Sequence, residues 1–100
     1  MKNLTLRNLT KVCNGIWHGD NALLDQEISA ITTDSRKIEK DCLFVPIVGE
    51  RVDAHRFIPD VMTKGALATL SERELPEADY AYIQVDASLQ AVKDIAELYL

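Results

Sequence analysis

The chain reads as an α/β domain, a small layered structure with a mixed, partly parallel sheet flanked by helices. Three observations carry that reading. Short apolar runs alternate with segments of helical periodicity along the whole sequence. Residues 43–48 (Leu-Phe-Val-Pro-Ile-Val) form an unbroken apolar run, the pattern of a strand covered on both faces. Near the end of the chain, apolar side chains recur every three or four positions, as on one face of a helix. One hundred residues suit a single small core, and 47% hydrophobic with 27% charged residues are the proportions of a folded chain.

The elements follow in order. Leu4, Leu6, Leu9, Val12 and Cys13 mark a first short helix, with Thr5 as its cap and Asn14-Gly15 as its stop. Ile16-Trp17-His18 is a short strand ending in the turn cluster Gly19-Asp20-Asn21. Residues 28–33 alternate and predict a strand leading into a loop at Asp34. In the apolar run 43–48, Pro46 cannot donate to a ladder and belongs at an edge or bulge. A helix starts near Asp53, which can cap it. Pro59 falls in or near the first turn, Phe57, Val61 and Met62 form the apolar face, and Lys64-Gly65 closes the helix. Residues 67–70 are a strand, residues 71–79 a polar connection around Pro76, and Tyr82, Ile83 and Val85 another strand. Ser88 is positioned to cap a last helix with a buried stripe of Leu89, Val92, Ile95, Ala96 and Tyr99. That helix carries no stop signal up to Leu100, which reads as one piece of a longer protein; a docked terminal helix is the alternative.

Several function classes drop out. A net charge of −5 argues against nonspecific nucleic-acid binding, which needs a basic face. No apolar run reaches the roughly 18–20 residues that span a bilayer, and the start, with Lys2 and Arg7, lacks the apolar stretch of a secretory signal. Cys13 and Cys42 have no metal-ligand spacing and read as buried free thiols of a cytoplasmic protein. His18 and His55 show no HxH or HxxxH spacing, so no metal site is expected. Ser35 and His55 with an aspartate would make a triad, but no G-x-S-x-G elbow is present. Neither G-x-x-x-x-G-K-[ST] nor G-x-G-x-x-G occurs, and no catalytic residue is assigned.

Recognition chemistry remains. Asp34 can accept from ribose hydroxyls or a base N–H, Ser35 can bond a base edge or phosphate, and Arg36 offers a fork for phosphate. Gly49 permits close backbone approach, while Asp53 and His55 stand where a helix N-terminus favours an anion. Together these suit a nucleotide diphosphate. The plainer alternative makes Asp34-Ser35 an Asx turn, Asp53 a helix cap, His55 a packing residue and Arg36 a surface ion pair. Trp17 is either core or an aromatic flanking a base near Asn14-Gly15.

The ordered set Thr32-Thr33-Asp34-Ser35-Arg36-Lys37, Leu43-Phe44-Val45, Gly49-Glu50-Arg51, Asp53-Ala54-His55, Phe57 and Lys64-Gly65-Ala66 resembles the N-terminal domain of the Mur ligases. These are ATP-dependent enzymes of peptidoglycan synthesis. Each motif alone is weak; in this order they are specific. Leu4-Thr5-Leu6, the helix ending in Asn-Gly, and Gly49-Glu50-Arg51 before Asp53-Ala54-His55 bring it nearer the MurF branch than the MurE branch. The former joins D-alanyl-D-alanine to UDP-N-acetylmuramoyl-tripeptide through an acyl phosphate attacked by the incoming amine; the latter adds the third stem residue.

The resemblance implies that residues 1–100 are a single UDP-substrate-recognition domain, the N-terminal part of a three-domain cytoplasmic ligase. Its UDP contacts would come from Thr33, Asp34, Ser35, Arg36, Gly49, Asp53 and His55, with Asn14 and Gly15 as weaker candidates. ATP, magnesium and D-alanyl-D-alanine would be handled by other domains, so this part binds and does not catalyse. No nucleic-acid or membrane partner is implied. Asp41 stands where the family usually has glycine, and Pro46 where it usually has alanine. A non-catalytic α/β binding module is the competing reading.

Overall fold

A computed structural model describes residues 4–99; the readings that touch Lys2 and Leu100 lie outside them. The described residues form five strands: β1 (Ile16–His18), β2 (Ile31–Thr32), β3 (Leu43–Phe44), β4 (Ala68–Ser71) and β5 (Tyr82–Gln84). With them pack three α-helices, α1 (Leu6–Val12), α2 (Ile58–Thr63) and α3 (Ser88–Tyr99). The sheet order is β1-β5-β4-β3-β2. Strands β2 to β5 are mutually parallel, and β1 runs antiparallel to β5. The expected mixed, mostly parallel α/β sheet is therefore what forms.

Period-two alternation places the core on both faces. Leu43, Val45, Ala68, Leu70 and Ile83 point to the side of α1 and α3, where Leu6, Leu9, Ala91 and Ile95 complete the larger cluster. Phe44 points the other way, onto Ile58 and Val61 of α2, with Ile38, Phe57, Leu75 and Tyr80 around it. Burying one such aliphatic side chain contributes roughly 1.5–3 kcal/mol.

The helix ends follow local chemistry. The Asn8 N–H donates to Thr5 Oγ1 at 3.2 Å, the expected cap of α1. At the other end Asn14 takes a left-handed φ of 52°. The Asn14 N–H reaches the Lys11 carbonyl and the Gly15 N–H reaches that of Thr10, a Schellman closure. Asp53 caps a 3₁₀ turn over Ala54–Phe57 that leads directly into α2, with Pro59 in its first turn as expected. Gly65, at φ 111°, closes that helix. Asp41 has a φ of 65°, so the aspartate does adopt the left-handed turn for which a glycine would be the usual choice.

Four expectations are corrected. The strand placed at 28–33 pairs only over Ile31–Thr32, because Ile28 bonds Leu4 and Ser29 bonds Asp41 instead. The strand placed at 43–48 pairs only over Leu43–Phe44. Past Pro46, which has no N–H, the chain folds back so that Val48 pairs with Asp53. Ser88 does not cap α3: it is the first helical residue, its Oγ is buried without a partner among the described residues, and its N–H donates to Glu72 Oε2 at 2.7 Å. The buried stripe of α3 runs through Ser88, Ala91 and Ile95; Val92 and Tyr99 pack against the core as expected, whereas Leu89 is 52% exposed.

Gly15 is fixed by packing. A Cβ there would lie 2.5 Å from Ile83 Cγ2 and 2.9 Å from the Gln84 carbonyl oxygen. Gly15→Ala is expected to lower stability by about 1–3 kcal/mol through overpacking, read as a lower urea midpoint at unchanged slope.

Candidate functional site

Parallel strands fix where the loops meet. The segments after Thr32, Phe44, Ser71 and Gln84 all leave the carboxyl end of the sheet. Because β1 is antiparallel and Ile16 pairs with Gln84, Asn14 and Gly15 join them there. The candidate UDP-contact residues thus all lie at one end, the usual ligand end of an open α/β sheet.

The first loop is built around Asp34. Its N–H donates to Thr32 Oγ1 at 3.1 Å, and its Oδ1 accepts from the Arg36 N–H at 2.9 Å, an Asx turn. The Arg36 side chain folds back on the same carboxylate, with Nε on Oδ1 at 3.0 Å and Nη2 on Oδ2 at 3.1 Å. Those side-chain bonds, then the backbone bond, hold the Asp34 carboxyl down at about 2. Ser35 is half-buried with its hydroxyl unspent among the described residues, and Thr33 is exposed.

The second loop turns back at Gly49, whose N–H bonds the Val52 carbonyl at 2.9 Å, leaving residues 49–52 as an exposed tip. Asp53 then organises three partners. Its Oδ1 accepts the His55 N–H at 2.9 Å and His55 Nδ1–H at 2.7 Å, and its Oδ2 accepts from Arg73 Nη2 at 2.5 Å. The His55 N–H, then the ring and Arg73, bring the Asp53 carboxyl to about 2. His55 Nε2 accepts the Glu72 N–H at 2.9 Å, which assigns the ring hydrogen to Nδ1. The imidazole is buried with both nitrogens engaged, so in this conformation it serves the site by bracing Asp53 against the loop after β4.

Glu72 and Arg73 were not singled out by the sequence reading. The available signal was the one that drew attention to Asp34: charged residues directly after a buried apolar strand. Asn14 and Gly15 reach this end of the sheet in the helix-closing and packing roles described above. Trp17 packs against the larger core cluster, its Nε1 buried without a partner among the described residues. Both cysteines are free and buried, and burial pushes the Cys13 thiol up to about 11. Among the described residues no group of three or more His, Cys, Asp or Glu is placed to hold a metal ion, and no helix is long and apolar enough to cross a membrane.

A concavity of about 710 Å³ lies at the opposite end of the sheet, where His18, Asp20, Leu67, Asp79, Tyr80 and Tyr82 line it. None of the candidate UDP-contact residues lines it.

Residues 27–100 match the Mur ligase family, catalytic domain. The chain belongs to the Mur ligase family. It is 34% identical over 99 residues, 96% of its length and 21% of the relative's, to the UDP-N-acetylmuramoyl-tripeptide–D-alanyl-D-alanine ligase of Bacillus subtilis. To the UDP-N-acetylmuramoyl-L-alanyl-D-glutamate–2,6-diaminopimelate ligase of Cytophaga hutchinsonii it is 46% identical over 76 residues, 72% of this chain and 15% of that one. A crystal structure of MurF from Acinetobacter baumannii superposes with a TM-score of 0.80 at 33% identity, covering 90% of this chain and 19% of that one. The chain thus spans about a fifth of such Mur ligases.

Asp34 and Asp53 together give the fold an acid limb. Each carboxyl titrates near 2 when folded against an ordinary 3.8, so the folded chain binds fewer protons between those values. Their stabilisation is complete above the ordinary value and disappears as pH falls through about 2. Unfolding by urea at stepwise lower pH is expected to show this loss, and Asp53→Asn to make it shallower.

Proposed function

We propose that this chain is the UDP-recognition domain of an ATP-dependent cytoplasmic ligase that adds D-alanyl-D-alanine to UDP-N-acetylmuramoyl-tripeptide. The observation that carries this reading is the likeness to enzymes named for that reaction across nearly the whole chain, in sequence and in backbone. In the parent protein, ATP and magnesium would be held by residues outside this chain, and D-alanyl-D-alanine would enter there. The part played here is binding and orientation.

The carboxyl-end loops supply suitable chemistry. Arg36 spends two of its nitrogens on Asp34 and keeps the rest of its fork for an anion, while the Ser35 hydroxyl can bond a base edge or phosphate. The loop of Gly49, Asp53 and His55 begins beside it, since Thr32 and Phe44 are register partners. The identity to a 2,6-diaminopimelate ligase favours a second reading, in which the parent adds the third stem residue. Both readings use the same UDP end of the substrate.

Titration of the isotopically labelled chain with UDP, with ATP as control, tests the reading. Saturable amide shifts in residues 33–36 and 49–55 with UDP alone are expected. Ser35→Ala and Arg36→Ala should each weaken UDP binding about tenfold to a hundredfold without unfolding the domain. Unchanged affinity in both variants would remove the site.

A further inference from the structure

Resting on the nucleotide reading above, we propose that Arg73 is a further binding residue of this site, the one that selects a diphosphate-bearing nucleotide over the neutral nucleoside. The placement comes first. Arg73 follows β4, whose neighbours in the sheet are β3 and β5, so its loop stands in the middle of the carboxyl end. Two strand spacings, on the order of 10 Å, separate β4 from β2 and the Asp34 loop. An extended ligand resting on Ser35 and Arg36 would therefore reach Arg73.

The charge distribution gives the second argument. The domain is acidic overall, and the carboxyl end itself presents Asp34, Asp53 and Glu72. A diphosphate can settle there only where these carboxylates are offset. Asp34 has its own arginine, Arg36, and Asp53 is matched in the same way by Arg73. The other partner of Asp53 is His55, whose hydrogen-bond pattern is that of the neutral ring. Arg73 is thus the formal countercharge of Asp53 among the described residues.

The third argument is availability. The Arg73 side chain is 56% exposed and commits Nη2 to Asp53 Oδ2, which leaves other donors of the fork for an incoming oxyanion. Arg56 is engaged differently, with its guanidinium 5.1 Å from the Phe57 ring centroid. Arg51 sits on the exposed loop tip. The backbone holds Arg73 in place, because its N–H donates to Ser71 Oγ and its carbonyl accepts from the same hydroxyl.

Calorimetric titration of this chain and of Arg73→Gln and Arg73→Lys with UDP, UMP and uridine provides the test. In the unaltered chain UDP should bind more tightly than uridine. Arg73→Gln should lose about tenfold to a hundredfold for UDP and less than twofold for uridine, with UMP between them, while Arg73→Lys keeps part of the discrimination. A loss of equal size for all three ligands would mark Arg73 as merely structural and overturn the inference, as would unchanged UDP affinity in Arg73→Gln. If the unaltered chain binds uridine and UDP equally, the inference falls while nucleotide binding stands. If it binds none of the three, the nucleotide reading falls and takes this inference with it.

Discussion

Everything in this domain hangs on the need of one short strand to satisfy its polar groups without water. β4 is buried along its whole length and has a strand on each side. Its two hydroxyl residues lie in that dry layer and spend their hydroxyls locally: Thr69 Oγ1 donates to backbone carbonyls of Phe44 and Leu70, and Ser71 Oγ to that of Arg73. A buried hydroxyl left unpaired would cost about 1–3 kcal/mol. Pairing Ser71 with the backbone of Arg73 therefore also fixes the direction in which the chain leaves the sheet, and so where Glu72 and Arg73 stand.

From that exit the loops are tied to one another. Glu72 offers its N–H to His55 and its carboxylate to the first N–H of α3, where a negative charge is favoured by the helix dipole. His55 passes the connection to Asp53, and Asp53 returns it to Arg73. The loops after β3 and β4 and the start of α3 are held as one unit by side chains that are polar and mostly short. The Asp34 loop has a separate closure of its own in Thr32, Asp34 and Arg36.

Much of this was legible in the sequence because it depends on local chemistry. Thr5, Asp53, Pro59 and Gly65 act within a few residues of themselves, and their parts in starting and closing the helices were read correctly from pattern and position. Residues 43–48 show where locality ends: the run is apolar throughout, yet Pro46 removes a donor and the following residues pair with Asp53 instead of a neighbouring strand. Ser88 is the mirror case. Its sequence is that of a cap, but a carboxylate sixteen residues earlier in the chain takes the N–H, and nothing near Ser88 announces this. The same holds for the site. Asp34 and Asp53 stand out through their neighbours, whereas Arg73 acquires meaning only once Asp53 is beside it.

The sheet also has two margins, and they are brief. The outer strands β2 and β1 are two and three residues long. A free sheet margin is a template on which a second chain can lay a strand, and its hazard grows with the number of unpaired groups it displays in a row. Here each margin ends before such a row can form, and antiparallel β1 reverses the pattern its neighbour presents. Along its sides the sheet therefore offers a second chain little backbone to pair with.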